Sequence, residues 1–409
     1  MNIGIFTNNY LPNPYGVSGS IESFRKQFKK AGHRVFIFAP RWKGYHDENS
    51  DIFRYPSLDI KIKFRFPLAI PYSRELDRVI SQLDLDIIHS QHPNLLGTAA
   101  MKWARKKNIP LVFTWHTLYD QYSNFVPFIP KKIAAGYIIK KAVRYANQCD
   151  QIIVPTESVV KMLKNWGVKN KNIIAVPTGV EEEFYQNADR NLMRKKYNIK
   201  DGEVLLLLVS RLTAEKNVEF LFHALTPILS QRERKIKFLV VGGGYLLEKL
   251  KKFTVENNIS DKVIFTGEVK REETKNYYAA ADIFVYASKS ETQGMIITEA
   301  MYSGLPIVAV DATGICNLVE NKVNGFLISE NSPGEIPQSG TPPRRGISRG
   351  KEEFAEAVNK LIEDKNLREK FGRESGRIAK EKYTDKVCAE KMLGIYRKAI
   401  ENYDLRFKN

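Results

Sequence analysis

Cysteine is scarce in this chain of 409 residues: Cys149, Cys316 and Cys388 are odd in number and far apart. Such a count argues against a disulfide framework and a cysteine zinc site, and leaves buried free thiols as the expectation. Long apolar runs are missing as well. No stretch approaches the roughly 18 apolar residues of a membrane-spanning helix, and the opening Met1-Asn2-Ile3-Gly4-Ile5-Phe6 is too soon interrupted to read as a secretion signal. The expectation is a cytoplasmic protein. The dinucleotide fingerprint Gly-x-Gly-x-x-Gly is also absent, because Gly242-Gly243-Gly244 would need a glycine where Leu247 stands. An NAD enzyme is disfavoured. Acidic residues are short in one half only: up to Val180 there are 26 Lys plus Arg against 12 Asp plus Glu, a balance of +14 out of the total +18. A field of that sign favours anionic partners, whether nucleic acid, an anionic membrane surface or phosphorylated substrates.

What is present is a core-forming sequence. Hydrophobic content is 43% and charged content 27%, ordinary for globular chains, and the length suggests two domains. Short β-rich runs alternate with helical stretches, the pattern of βαβ units and parallel sheets. Ile3–Phe6 reads as a strand, Ile21–Ala31 as a helix stopped by Gly32, and Val35–Phe38 as the next strand. Further strands are predicted at 87–88, 111–114, 152–154 and 173–176, with a helix at Leu95–Lys107. Pro177-Thr178-Gly179 breaks the pattern, which restarts at Val204–Val209, an almost wholly apolar run of the kind buried on both faces. Strands at 238–241, 263–265, 283–285, 307–310 and 325–328 follow. The expectation is an α/β protein of two Rossmann-like doubly wound domains facing a central cleft, at 1–178 and 179–384, with a final helix at about 385–409 packing back on the first. The Pro/Gly-rich stretch at about 333–350 reads as a surface insertion.

Several residues fall where strands should end. His116, in Thr114-Trp115-His116-Thr117, follows one strand, which places it at a cleft edge; His89 has the same placement and reads either as structural or as a support behind the residues that touch substrate. Arg211 and Lys216 lie between a buried strand and a helix, where a guanidinium fork and an ammonium can neutralise a diphosphate beside a helix N-terminus. Gly242 and its neighbours would let backbone approach a ligand closely. In Glu291-Thr292-Gln293-Gly294-Met295-Ile296-Ile297-Thr298-Glu299, Gly294 marks the expected helix start. Glu291 then sits in the loop and Glu299 about one and a half turns into the helix. Carboxylates accept paired hydrogen bonds from vicinal hydroxyls, so one suits a hexose and the other a ribose, while N–H groups near Gly294 suit anionic oxygens.

These residues resemble the family-4 retaining glycosyltransferases of GT-B fold, over essentially the whole chain apart from the insertion. Glu291 to Glu299 is similar to that family's Glu-x7-Glu signature, Arg211 and Lys216 to its diphosphate pair, and His116 to its active-site histidine. The resemblance implies that Glu291 contacts the donor sugar and Glu299 the ribose, that Thr292, Gln293, Met295 and Ile296 line the donor site, and that Val269 holds the base through main chain. Gly16 resembles the glycine-rich loop near the donor phosphates, although Val17 replaces the usual second glycine. The segment Thr114–Tyr122 taken with Glu291–Gly294 looks most like bacterial diacylglycerol glucosyltransferases. That likeness implies UDP-glucose as donor, a lipid acceptor and a basic domain docking on the inner face of the cell membrane. Lys61, Lys63, Arg65, Lys131, Lys132, Lys140 and Lys141, mixed with large apolar residues, are the candidates for docking.

A metal-dependent transferase is expected to carry Asp-x-Asp at a strand's carboxyl end; Asp84-Leu85-Asp86 precedes its strand and reads as a turn. The expectation is therefore no metal and no cofactor, the nucleotide sugar being a substrate, with Arg211 and Lys216 supplying the positive charge. A peripheral membrane protein that binds sugar nucleotide without turnover is one rival, disfavoured by intact His116, Arg211, Lys216 and both glutamates, and three others stand beside this reading. One is transfer to a soluble sugar or other small hydroxyl acceptor, and another is a nucleotide-sugar epimerase or phosphorylase on the same architecture. The third, a nucleic-acid binder suggested by net charge, is disfavoured by two nucleotide-type domains and the glutamate pair.

Overall fold

A computed structural model of the chain describes residues 1–13, 16–61, 65–118, 131–330 and 349–406, with 61, 65 and 131–134 described by main chain only. The chain forms two compact units, Met1–Gly179 with Asp385–Asn409, and Val180–Thr384.

Unit 1 is built on β1 (Asn2–Phe6), β2 (Arg34–Pro40), β3 (Ile52–Tyr55), β4 (Ser57–Lys61), β5 (Arg65–Ala69), β6 (Ile87–Ser90), β7 (Leu111–Thr114), β8 (Gln151–Val154) and β9 (Ile173–Ala175). Seven of these form a parallel sheet in the order β3-β2-β1-β6-β7-β8-β9, and β4 pairs with β5 as a separate antiparallel hairpin. The sheet strands are apolar because helices cover both faces. Phe6, Phe38, Ile88, Phe113 and Trp103 pack on one side, and Ile5, Ile37, Ile87 and Val112 pack on the other with Phe28 and Tyr396.

Tyr396 belongs to the helix Asp385–Leu405, whose buried residues Cys388, Ala389, Met392, Leu393, Tyr396 and Ala399 recur at helical spacing. That stripe lies against the helix Val17–Lys30: the Phe28 and Tyr396 rings meet edge-on at 5.7 Å, and Gln27 Nε2 donates to Asp385 Oδ2 at 2.5 Å. The helix also closes a buried polar chain, with His89 Nδ1 2.5 Å from the Tyr396 hydroxyl and His89 Nε2 2.6 Å from Thr114 Oγ1. His89 is thus structural, with both ring nitrogens engaged inside the core.

Unit 2 repeats the plan with β10 (Val204–Val209), β11 (Ile236–Val241), β12 (Val263–Gly267), β13 (Ile283–Tyr286), β14 (Ile307–Val310) and β15 (Gly325–Ile328), all parallel, in the order β12-β11-β10-β13-β14-β15. In each sheet the order reverses once, between β1 and β6 and between β10 and β13. Loops leaving the carboxyl ends of those strands diverge there and leave a crevice where ligands of such sheets bind.

Three details differ from sequence expectation. Strands β3, β4 and β5 fall in a stretch that periodicity alone does not assign. The helix after the insertion starts at Arg349, inside the stretch assigned to the insertion at about 333–350; residues 331–348 lie outside the described residues. Cys149 and Cys388 are buried, whereas Cys316 is exposed, because the loop that carries it runs over the surface beyond β14.

Replacing Tyr396 by Phe strips a partner from a buried histidine. Urea denaturation should show a loss of about 1–3 kcal/mol, and an unchanged midpoint would mean that the His89 contact contributes nothing.

Candidate active site

The two loops that flank the crevice of unit 2 are tied to each other. Lys216 lies in the short turn Ala214–Lys216 after β10, and Glu291 in the loop after β13. Lys216 Nζ is 2.5 Å from Glu291 Oε1, with side chains only 14% and 15% exposed. The same oxygen accepts from the Tyr286 hydroxyl at 2.6 Å and from Ser288 Oγ at 2.9 Å. Among the described residues no donor reaches Oε2. Three donors on one oxygen fix the carboxylate and leave its other oxygen available for a hydroxyl-bearing ligand.

Sequence alone leaves Arg211 and Lys216 as two equivalent cations, and the structure separates them. Arg211 is largely exposed, 3.4 Å from Glu215 one turn on, a pairing worth little in water. Lys216 is half-buried and committed to Glu291 through one contact. An ammonium has three donors, so it can hold Glu291 and a phosphate oxygen together.

The Gly242-Gly243-Gly244 run also meets a packing demand within the chain. A Cβ at Gly242 would lie 2.0 Å from the Ser210 carbonyl oxygen, and one at Gly244 would lie 2.4 Å from that of Leu212. The close approach is therefore to the chain's own Arg211 loop, which is pinned by hydrogen bonds from Leu212 N to Gly243 O and from Leu246 N to Leu212 O. Gly314 does the same for the other loop. At φ +80°, its Cβ would meet the Glu291 carbonyl oxygen at 2.6 Å. It lies 23 residues beyond Glu291, and no local pattern announces it.

Gly294 is the N-cap of the helix Met295–Tyr302, at φ 79° and ψ 57°, a left-handed conformation that glycine adopts without steric cost. Met295 and Ile296 open the helix, half-buried, with Ile296 against the core; Thr292 and Gln293 fill the loop before it, Gln293 buried. First-turn N–H groups of a helix lack intrahelical partners and attract anions. Glu299 is the fifth helical residue and faces other company. It accepts from the Tyr278 hydroxyl at 2.8 Å, and Tyr185 supplies a second hydroxyl in a cluster with Tyr278 and Tyr302. Burial raises the Glu299 carboxyl above its ordinary value, against the downward pull of Tyr278, Arg271 and Tyr185. Val269 follows β12, half-buried on the core, just before the helix Arg271–Ala280.

In unit 1, His116 lies just beyond the carboxyl end of β7, and Gln91 just beyond β6. His116 Nε2 is 2.6 Å from Gln91 Oε1. An amide oxygen only accepts, so the imidazole proton sits on Nε2. Burial, with His92 and His89 nearby, pushes the His116 ring down to about 3, so it is neutral at physiological pH and serves as a hydrogen-bonding group. Next to it, His92 Nδ1 accepts from Asn8 N at 3.1 Å, linking the loops after β6 and β1 across the crevice of unit 1. Gly16, at φ 60°, caps the helix Val17–Lys30. Asp86 Oδ2 accepts from Asn2 N at 2.6 Å, at the amino end of the sheet, as befits a turn.

The docking candidates are only partly visible. Lys140 and Lys141 are exposed on the helix Lys131–Ala146, where Lys141 lies 4.9 Å over the ring of exposed Tyr137. Lys61 and Arg65 are register partners in the β4–β5 hairpin. Lys131 and Lys132 open their helix by main chain, and Lys63 lies outside the described residues.

Residues 14–184 match the family model described as Glycosyltransferase Family 4, and 189–338 the model described as Glycosyl transferases group 1. The alpha-monoglucosyldiacylglycerol synthase of Streptococcus pneumoniae (strain ATCC BAA-255 / R6) is 36% identical over 341 residues, which is 80% of this chain and 75% of that protein. The chain belongs to the family-4 glycosyltransferases. A GDP-mannose-dependent alpha-mannosyltransferase of Corynebacterium glutamicum is 28% identical over 80% of this chain and 76% of its own. Among solved structures, Anabaena HepE in complex with UDP aligns with a TM-score of 0.73 at 17% identity, covering 97% of this chain and 100% of that one. The fold of this glycosyltransferase is thus GT-B.

The raised Glu299 carboxyl carries a stability cost in its charged form. A folded value above the unfolded one means that stability is lost as pH rises through it. Glu299→Gln should therefore raise the melting temperature of the ligand-free protein at pH 8, with the gain shrinking towards pH 5. A lower melting temperature at pH 8 would contradict the burial argument.

Proposed function

We propose that this glycosyltransferase moves glucose from UDP-glucose to diacylglycerol at the inner face of the cell membrane, with retention at the anomeric carbon and without a metal ion. The donor half of the reading rests on one observation: Lys216, Tyr286 and Ser288 converge on Oε1 of Glu291 beside the Gly294 helix start. The open Oε2 takes hydroxyls of the sugar. Remaining donors of Lys216, the Arg211 fork and the first-turn N–H groups take the diphosphate, while Glu299 takes the ribose and Val269 the base.

In the reaction the bond from the anomeric carbon to the diphosphate oxygen breaks, and the acceptor oxygen bonds to the same face of that carbon. The acceptor's proton passes to the departing phosphate. Charge develops on the leaving diphosphate, and preorganised cations and helix N–H groups stabilise it most in the transition state. Neutral His116, its proton held by Gln91, orients a hydroxyl and transfers no proton.

The acceptor half has separate support. The Streptococcus pneumoniae relative is named for a diacylglycerol product, and the first 180 residues of this chain carry the +14 balance that an anionic bilayer attracts. A mannosyltransferase among the relatives makes GDP-mannose the donor to test against UDP-glucose.

The decisive assay crosses UDP-glucose and GDP-mannose with diacylglycerol in anionic vesicles and with soluble sugars, chelator present throughout. Glucosylated diacylglycerol is the expected product. A divalent-ion requirement would overturn the cation mechanism, and turnover of soluble acceptors alone would overturn the lipid assignment. Glu291→Gln should cut kcat by about 100-fold, the scale of one lost transition-state contact, with UDP binding largely retained. Glu299→Gln should weaken UDP binding; equal effects on both steps would refute the division of roles.

A further inference from the structure

The loops that leave β10 and β11 run along each other. Ser210 N donates to Val241 O at 3.0 Å, Leu212 N to Gly243 O at 2.7 Å, and Leu246 N to Leu212 O at 3.1 Å. Beyond Leu212 the pairing continues through a side chain. The Tyr245 hydroxyl accepts from Ala214 N at 2.8 Å. Ala214 opens the short turn Ala214–Lys216, which is closed by bonds from Lys216 N to Thr213 O and from Asn217 N to Ala214 O. A first-turn N–H has no partner within its own helical turn, so the hydroxyl supplies what the turn cannot.

Tyr245 is oriented against the habit of surface tyrosines, which bury the ring and leave the hydroxyl to solvent. The residue is 69% exposed while its polar end is spent on main chain. Ring packing therefore does not account for the placement, and the hydroxyl contact does. What that contact holds is the turn that carries Lys216, whose ammonium grips Glu291 and takes a diphosphate oxygen in the proposed reaction. A lysine is a point charge on a flexible stem, so the position of its main chain sets where the charge can go. On the other side of the turn, Glu215 O is approached by Ser288 Oγ at 3.5 Å, Ser290 Oγ at 3.4 Å and Lys289 N at 3.5 Å. Those contacts are long for hydrogen bonds. The turn is held between the loops after β11 and β13, and the firmer hold is that of Tyr245.

We infer that Tyr245 is a positioning residue of the donor site: its hydroxyl fixes the Ala214–Lys216 turn, and with it the Lys216 charge, for the diphosphate of the nucleotide. The inference rests on the donor half of the proposed function and adds a residue outside the glutamate and cation motifs. One net hydrogen bond is worth roughly two- to tenfold in a binding constant.

The test compares UDP with uridine on the full chain, UDP by calorimetry and uridine by ligand-observed NMR, with GDP and guanosine as the second pair. Tyr245→Phe keeps the ring and removes the hydroxyl. It should bind the diphosphate roughly two- to tenfold more weakly, bind the nucleoside as the wild type does, and keep the wild-type melting temperature because the residue lies mostly in solvent. Tyr245→Ala should match it in both titrations. Wild-type diphosphate affinity in Tyr245→Phe, with the loss confined to Tyr245→Ala, would assign the ring to stacking on the ligand and overturn the positioning role. Equal weakening of diphosphate and nucleoside in Tyr245→Phe overturns it too, as does a lowered melting temperature, which would make the contact a general support of the fold. In each of these cases the donor reading stands. A wild type that binds neither UDP nor GDP overturns the donor reading and this inference together.

Discussion

An ion pair taken out of water is a liability unless its remaining valences are met. Moving each charge from solvent costs several kcal/mol, and attraction between partners repays this only with good geometry and further hydrogen bonds. Lys216 and Glu291 meet that condition through Tyr286 and Ser288, and the donor half of the site hangs from the result. Their contact ties the loop after β10 to the loop after β13, the two strands at which the sheet order reverses. Glycines then fit the surrounding backbone around the tie: Gly242 and Gly244 admit the Arg211 loop, and Gly314 admits the main chain at Glu291. Removing one partner leaves a partly desolvated charge without its counterion and loosens the tie between the two loops.

The two glutamates of the signature thus live in different electrostatic worlds eight residues apart. Glu291 is neutralised by a lysine it touches. Glu299 leans on tyrosine hydroxyls, and burial makes its charge costly. A carboxylate in that condition gains from a ligand that donates two hydroxyl hydrogen bonds, because the ligand supplies what the protein withholds.

Much of this was legible in the chain. Strands such as Val204–Val209 and Ile307–Val310 are short apolar runs between turn residues, and burial on both faces leaves them no other pattern. Gly294 as helix start, and Glu291 before it, could be placed from spacing alone. Tertiary partners could not: Tyr185 reaches Glu299 from far upstream, and Gln91 meets His116 only because β6 and β7 are neighbours. The hairpin is the instructive case. Lys61, Lys63 and Arg65 alternate with Ile62, Phe64 and Phe66, which is a strand's period, yet the same letters read equally well as an interfacial segment. Burial of Ala69 and Pro67 decides which face is inward, and sequence alone carries no such information. The glycine run carries a packing demand, room for the Arg211 loop, that its letters alone do not show.

The helix Asp385–Leu405 belongs to the unit that the first 179 residues build, while everything between belongs to the other. On the ribosome, chains emerge from the amino end and domains tend to fold as they appear. Unit 2 has all its parts as soon as Thr384 is out, but unit 1 must wait for Tyr396 to arrive against Phe28 and His89. The domain that starts first is finished last. During that interval the cover over Ile5, Ile87 and Val112 is incomplete, and an emerging chain with such a face open is a natural client for chaperones.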